Sequence, residues 1–140
     1  MKRQILVVDD EVKMLDILGL YFRGNGFEVT TAETGRQARD LLSLNRFDLT
    51  ILDLNLAGED GLDVLNLIKG VWPEHPVIVF TGVAENELVL KQNLADRADA
   101  FIRKTAGLPP LLAEVRRLIS GGSPAGGNKG DGEAAYNPVP

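Results

Sequence analysis

Short apolar runs along the chain predict β-strands that are buried on both faces. Three runs of four residues are rich in β-branched side chains and are each followed by a polar residue: residues 5–8, 49–52 (interrupted only by Thr50) and 77–80. Residues 27–30 instead alternate between apolar and polar, and residues 100–102 form a short run flanked by charge. Strands at the edges of a sheet have these two patterns. The sequence therefore predicts five strands, three central and two at the edges.

Apolar residues recur at helical spacing in the segments between the predicted strands. The stripes of the first three segments are Val12, Leu15, Leu18 and Phe22, then Ala38, Leu41 and Leu42, then Leu62, Leu65 and Ile68. Residues 88–98 form a weaker fourth helical segment. The last segment has the clearest stripe, which consists of Leu108, Leu111, Leu112, Val115, Leu118 and Ile119. Pro109 and Pro110 fall in its first turn, where the N–H that proline lacks would have no partner inside the helix.

The alternation of strand and helix predicts an α/β fold made of five βα units. Right-handed crossovers between buried parallel strands place helices on both faces of one sheet. With residues 27–30 and 100–102 at the two edges, the strand order 2-1-3-4-5 fits, which is a doubly wound (βα)5, flavodoxin-like three-layer sandwich. The order reverses between strands 1 and 3. Ligands of such sheets bind at the carboxyl ends of the strands beside the reversal.

The composition fits one such domain. With 140 residues, of which 44% are hydrophobic and 25% charged, the chain can bury one core but is short for two large domains. After Ile119 the sequence becomes rich in glycine and proline. We therefore expect a domain over residues 1–120, followed by a flexible tail or truncated linker over residues 121–140.

Charge and residue usage argue against several classes of function. The formal net charge is −5, whereas nucleic-acid binding needs an excess of lysine and arginine, so no direct contact with nucleic acid is expected. Without cysteine and with a single histidine, any metal has to be held by oxygen ligands. Only four apolar residues precede Asp9, which predicts neither a signal peptide nor a membrane span. We expect a soluble, cytoplasmic protein without membrane contact.

Three aspartates stand at the predicted ligand-binding end of the sheet. Asp9 and Asp10 directly follow the first strand, and Asp53 follows the third. If they converge, each pair repels by roughly 4 kcal/mol at 4 Å with an effective dielectric constant near 20, so a cation is required. Mg²⁺ suits the site because it prefers oxygen ligands and keeps several waters. The alternative, in which Asp9 and Asp10 cap the helix beginning near Val12, does not explain the third aspartate.

Two polar residues follow the ends of the next strands. Thr81 ends the fourth strand and Lys104 follows the fifth. We expect both side chains to enter the crevice from the side away from Asp9, where a hydroxyl and an ammonium would bind the oxygens of a phosphoryl group on Asp53. Gly82 leaves room for that group. Singly, Thr81 is also typical of a strand-end turn and Lys104 of a solvated loop, so their joint placement is what indicates a site.

Four groups of residues resemble the motifs of a known family. They are residues 5–11 (ILVVDDE), residues 53–56 (DLNL) leading to Asp60 and Gly61, residues 81–82 (TG) and residues 101–104 (FIRK). Between about residue 2 and residue 120 the chain thereby resembles the receiver domains of two-component response regulators. Each motif is short, and their specificity lies in the combination.

The resemblance implies a role for each site residue. It implies that Asp53 is the phosphoacceptor and that Mg²⁺ is held by Asp9, Asp10, Asp53 and the backbone carbonyl of Asn55. It also implies that Thr81 and Lys104 assist the transfer and sense the phosphoryl group, and that Phe101 is an aromatic switch residue. An ordinary core aromatic is the alternative interpretation of Phe101.

The implied function is a phosphorylation-dependent signalling switch. The donor would be a sensor histidine kinase or a phosphotransfer protein, and the domain would catalyse only its own phosphotransfer and autodephosphorylation, so it is not a turnover enzyme. Phosphorylation would alter the face made by the fourth helix, the fifth strand and the fifth helix, which would regulate an output protein or domain. A homodimer stays open as well.

Several residues depart from the family pattern or invite a separate interpretation. Ala57 and Thr105 stand where the family usually has proline, and Arg97 where it often has glycine. We hypothesise that the apolar Val83 shields the acyl phosphate from water. His75, a single loop histidine, is interpreted as solvated.

Three other functions compete with this interpretation. A flavin-binding module would need hydroxyls and glycines after the first strand, where Asp9 and Asp10 would repel a phosphate. A haloacid-dehalogenase-type phosphatase uses an aspartate nucleophile with a second acid two positions later, a spacing that Asp9 and Glu11 fit loosely, but it needs a larger fold. A degenerate receiver that docks without phosphate would not require the intact Asp53 and Lys104.

Overall fold

The computed structural model describes residues 2–82 and 97–120 and contains one five-stranded sheet. Its strands, in chain order, are β1 (Gln4–Val8), β2 (Glu28–Ala32), β3 (Leu49–Leu52), β4 (Val77–Thr81) and β5 (Ala100–Arg103). Every neighbouring pair is parallel, and the spatial order is β2-β1-β3-β4-β5. The predicted doubly wound sheet, including its two edge strands, is confirmed.

Four α-helices are described: α1 (Val12–Gly24), α2 (Gly35–Leu44), α3 (Gly61–Val71) and α4 (Leu108–Ile119). A short 3-10 turn, Lys104–Ala106, separates β5 from α4. Of the predicted helical segment at 88–98, residues 88–96 lie outside the described residues, as do Val83 and residues 121–140. None of the helices in the described part of the chain is long and apolar enough to cross a membrane.

The central strands are buried on both faces because their side chains alternate between two core clusters. One cluster lies on the side of α2 and α3 and takes Leu6, Val8, Leu52, Val77 and Val79 from the strands. The other lies on the side of α1 and α4 and takes Ile5, Val7, Leu49, Ile51, Ile78 and Phe80. The continuous apolar runs of the sequence therefore supply both layers of helices with a partner surface.

The helices bury the predicted stripes fully or in part, and the one exposed stripe residue is Val12. Leu15, Leu18 and Phe22 of α1 are each at most 4% exposed, but Val12 is 54% exposed. The prediction for Val12 is wrong because this residue is the first of α1 and precedes the turns that cover the sheet. Leu111 and Val115 of α4 are fully buried, and its two prolines occupy the first turn as predicted.

A short antiparallel hairpin, which the sequence did not predict, connects β3 to α3. Asn55–Leu56 pairs with Glu59–Asp60, and Gly58 in the turn has a φ of 75°, a conformation that favours glycine. At its end Gly61 approaches the β3 side so closely that an added Cβ would lie 2.3 Å from the Leu54 Cα. Glycine at position 61 therefore allows α3 to begin directly beside the end of β3.

Candidate functional site

The three aspartates meet at the carboxyl ends of β1 and β3, which are neighbours in the sheet. Carboxylate oxygens of Asp9, Asp10 and Asp53 all lie within 4.8 Å of one another. Asp9 and Asp53 are only 2% and 4% exposed, whereas Asp10 is exposed. The strand order thus brings together three carboxylates, two of which have lost most of their contact with solvent.

Backbone N–H groups orient each of the three carboxylates. Asp9 Oδ1 accepts a hydrogen bond from the Glu11 N–H at 2.9 Å, and Asp53 Oδ1 accepts one from the Asn55 N–H at 3.2 Å. Asp10 Oδ2 accepts one from the Ala57 N–H of the hairpin, at 3.1 Å. Asp10 therefore turns toward the hairpin rather than capping α1, whose N-cap residue is Glu11.

Lys104 lies among these acids as their cationic partner. Its Nζ lies 2.8 Å from Asp9 Oδ2, 3.2 Å from Asp53 Oδ2 and 4.0 Å from Glu11 Oε1. Lys104 enters from the β5 side of the sheet, as expected, but its side chain contacts Asp9 as well as Asp53, which was not predicted. The buried Asp9 carboxylate requires a counter-charge, and the flexible lysine side chain reaches it from the turn after β5 while still contacting Asp53.

Burial and charge shift the pKa values of this pair. Burial raises the pKa of the Asp9 carboxyl and the negative charge of Asp53 raises it further, against hydrogen bonds from Lys104 and the Glu11 N–H that favour the ionised form. Burial alone would lower the pKa of the Lys104 ammonium. Hydrogen bonds and charge attraction from Asp9 and Asp53 outweigh burial, so the pKa of Lys104 is raised.

The other predicted residues lie around this cluster. Thr81 is the last residue of β4 and is fully buried, and Gly82 lies so close to Lys104 that an added Cβ would be 3.7 Å from its Cδ. Asn55 begins the hairpin and is exposed. Phe101, in β5, is partly buried and packs against the core cluster on the side of α2 and α3. The structure thus places Thr81 and Lys104 at the same edge of the sheet as the aspartates.

Two interactions escaped the sequence analysis. Glu59 of the hairpin accepts a hydrogen bond from the Gly35 N–H at the start of α2, at 2.8 Å. His75 is partly buried and its Nε2 lies 2.7 Å from Thr50 Oγ1, so the interpretation of His75 as solvated is wrong. Each contact joins residues more than 20 positions apart, which local patterns in a sequence do not reveal.

The donor atoms of the acid cluster fit a hard divalent cation. All its ligand candidates are oxygens, and the carboxylates are close enough together to reach one ion. Mg²⁺ prefers such oxygens and is usually bound by one or two carboxylates with several waters retained. The exposed position of Asp10 leaves one side open to those waters.

Comparison with known proteins assigns the family. Residues 5–116 match the profile of the response regulator receiver domain. The chain belongs to this family. Over 135 residues the receiver domain is 33% identical to the response regulator MprA of Mycolicibacterium vanbaalenii, covering 94% of this chain and 55% of MprA. Over 123 residues it is 34% identical to the DNA-binding response regulator MtrA of Mycolicibacterium paratuberculosis, covering 85% of this chain and 52% of MtrA.

The receiver domain therefore spans about half the length of these two curated relatives. Among solved structures it is similar to the response regulator TrrA from Thermotoga maritima in complex with Mg²⁺-BeF. That match has a TM-score of 0.74 and 29% identity, and it covers 83% of this chain and 98% of TrrA. The structural match and the family profile agree on a receiver domain of a two-component system.

Proposed function

We propose that this receiver domain accepts a phosphoryl group on Asp53, in a Mg²⁺-dependent reaction, and passes the signal on through a change in its surface. The observation that supports the proposal is the position of Asp53: a buried carboxylate that shares its site with two further aspartates and a lysine. Stability alone favours no such gathering of like charges. A phosphoryl acceptor with a bound cation explains it.

Asp53 is the best acceptor of the three because of its place in the sheet. The contacts of Asp9 and Asp53 are equivalent, since each has one oxygen bound by a backbone N–H and the other by Lys104. Asp10 is held toward the hairpin. Asp53 directly follows β3, which lies between β1 and β4 in the sheet, so it has Asp9 and Asp10 on one side and Thr81 on the other.

Asp9, Asp10, Asp53 and the backbone carbonyl of Asn55 would hold the ion. An ion held there would supply positive charge to offset the negative charge of the carboxylates and of the incoming phosphoryl group. The P–N bond of a phosphohistidine on the kinase or phosphotransfer protein breaks as a P–O bond to Asp53 forms. Water later hydrolyses the acyl phosphate.

Lys104 and Thr81 would receive the transferred group. Lys104, which contacts both Asp9 and Asp53, would bind the phosphoryl oxygens through its ammonium. Thr81 supplies a hydroxyl from the end of β4. Movement of Thr81 would free space for Phe101, and the face that includes β5 and α4 would change shape for an output partner or a second copy.

The domain boundaries follow from the same proposal. Residues 1–120 form the switch, and residues 121–140 serve as tail or linker to whatever the switch controls. In MtrA, whose name calls it DNA-binding, the match covers 52% of the protein. We propose an output domain or partner protein for this receiver without assigning its chemistry.

Site mapping tests the proposal. Incubation with acetyl phosphate and Mg²⁺, followed by proteolysis and peptide mass spectrometry, should locate a base-labile phosphoryl group on the peptide that contains Asp53. Asp53→Asn should remove it, while Asp63→Asn, an exposed acid on α3, should not. A phosphoryl group that survives Asp53→Asn would refute the assignment. Steady turnover of a phosphomonoester would favour a phosphatase instead.

A further inference from the structure

The hairpin that follows Asp53 is fastened to α2 through the carboxylate of Glu59. Glu59 Oε2 accepts a hydrogen bond from the Gly35 N–H, at 2.8 Å and across 24 positions of sequence. Gly35 is the first residue of α2, so the carboxylate lies at the positive end of the helix dipole. The N-cap residue Thr34 takes a different N–H, that of Gln37. Glu59 thus satisfies a donor of α2 that the helix's own cap does not reach.

The contact between Glu59 and Gly35 is closely packed. Gly35 is buried, and a Cβ at this position would lie 2.5 Å from Glu59 Oε1 and 2.5 Å from Val64 Cγ2. A larger residue at position 35 would therefore require the Glu59 and Val64 side chains to shift. The sequence therefore keeps the space that the Glu59 carboxylate fills.

The opposite side of the hairpin contacts the acid cluster. The Asn55 N–H donates to Asp53 Oδ1, and the Ala57 N–H donates to Asp10 Oδ2. Glu59 pairs with Leu56 across the hairpin. Asn55 and Ala57 are the two neighbours of Leu56 in the sequence, so their contacts with the aspartates lie close to Glu59. The hairpin is therefore held between the proposed metal site and the start of α2.

We infer that Glu59 is a positioning residue: it holds the hairpin so that the Asn55 carbonyl is aimed at the metal site, and it transmits occupancy of that site to α2. This inference rests on the proposed metal site. A metal ion held by Asp10 would draw negative charge from the carboxylate that accepts the Ala57 N–H, so the contact that holds the hairpin tip would change with occupancy of the site. The hydrogen bond between Glu59 and the Gly35 N–H would then transmit a shift of the hairpin to the start of α2.

The test combines metal affinity with the amide signal of Gly35. Mg²⁺ affinity of the whole chain is measured by titration calorimetry for the wild type, Glu59→Ala, Glu59→Gln and Asp63→Ala. Asp63 is the matched control because it is an exposed acid that lines the same groove between α2 and α3 as Glu59. The Gly35 amide is followed by ¹H–¹⁵N correlation spectra through each titration.

We expect Glu59→Ala to weaken Mg²⁺ binding by about tenfold, as is typical when a group that orients a metal ligand is lost. Glu59→Gln retains an acceptor for the Gly35 N–H and should lose about threefold or less, and Asp63→Ala about twofold or less. In the wild type the Gly35 amide should shift on Mg²⁺ addition. In Glu59→Ala the Gly35 amide should have a different chemical shift before Mg²⁺ is added, and this shift should change little during the titration.

The outcomes separate this inference from the proposed function. If the wild type binds no Mg²⁺, the proposed function fails and the inference fails with it. If the wild type binds Mg²⁺ but Glu59→Ala binds equally well, only the inference is overturned. Equal losses in Asp63→Ala and Glu59→Ala would also overturn it, because they would reduce the effect of Glu59 to its charge.

Discussion

We call the two ends of the parallel strands the amino-terminal and carboxyl-terminal edges of the sheet. Both edges carry a lysine beside aspartates, but the ratio of positive to negative charge differs between them. At the amino-terminal edge Lys69 donates to Asp99 Oδ2 at 2.8 Å and to the His75 carbonyl at 2.7 Å. The same Asp99 oxygen accepts the Val77 N–H that begins β4. At the carboxyl-terminal edge Lys104 is, within residues 2–82 and 97–120, the lysine that lies with the three aspartates. One lysine is matched to one carboxylate, and the other is outnumbered.

This difference distinguishes an edge with balanced charge from the edge that we propose as the site of phosphoryl transfer. The contacts of the amino-terminal edge connect α3, β4 and the residue before β5, and the charge of Lys69 is balanced there by that of Asp99. The carboxyl-terminal edge is left with an excess of negative charge that a single ammonium does not neutralise. We therefore expect that added metal ions do not change the stability of the amino-terminal edge and that they stabilise the carboxyl-terminal edge.

The largest expected effect comes from removing the outnumbered lysine. Lys104→Met leaves Asp9 and Asp53 buried without their cation, so the free energy of unfolding in EDTA should fall by about 2–4 kcal/mol. Urea denaturation followed by circular dichroism measures this loss. Added Mg²⁺ should restore part of it. An unchanged midpoint in EDTA would show that Lys104 does not balance the acids.

Mg²⁺ should stabilise the wild type to a smaller extent. At a concentration ten times the dissociation constant, binding to the folded state alone adds about 1.4 kcal/mol to the free energy of unfolding. The same denaturation experiment with and without Mg²⁺ measures this gain. Asp10→Asn should reduce it strongly. An equal gain in Asp10→Asn would place the ion elsewhere.

The matched substitution at the amino-terminal edge should lower the free energy of unfolding by less, and its effect should not depend on Mg²⁺. Lys69→Met removes one partly exposed ion pair and a hydrogen bond to a carbonyl, worth about 1 kcal/mol together. Its denaturation curve should shift by this amount both in EDTA and in Mg²⁺. A Mg²⁺-dependent recovery, as expected for Lys104→Met, would erase the distinction between the edges.

The smallest expected effect is a dependence on pH through His75. Burial lowers the pKa of His75 and the charge of Lys69 lowers it further, against Asp99 and Asp48, which raise it. Because the folded pKa lies below the unfolded value of about 6.5, the unfolded chain binds more protons between the two, so stability falls as pH decreases through that window. His75→Gln should flatten this slope in denaturation curves. An unchanged slope would assign it to other groups.

Much of the fold could be predicted from the sequence because its signals are local. The runs at residues 5–8, 49–52 and 77–80 had to be buried on both faces, and alternation with helices then determined the parallel sheet and its order. The convergence of Asp9, Asp10 and Asp53 followed from that order, since the ends of β1 and β3 are neighbours.

The features that could not be predicted depend on side-chain reach or on distant partners. The hairpin strands are two residues each, too short for a periodic pattern. Strand order places Lys104 at the correct edge but does not say which carboxylate its long side chain meets. The partners of Glu59 and His75 lie 24 and 25 positions away in the sequence. Such contacts appear only once the elements are packed.

The most direct test of the central claim measures phosphorylation of the intact chain with and without the metal. Wild type and Asp53→Asn are incubated with acetyl phosphate in Mg²⁺ or in EDTA, and intact-mass spectra are recorded over time. The account predicts one added phosphoryl group in the wild type with Mg²⁺ and essentially none in the other three samples. Equal phosphorylation in EDTA, or an adduct on Asp53→Asn, would contradict it.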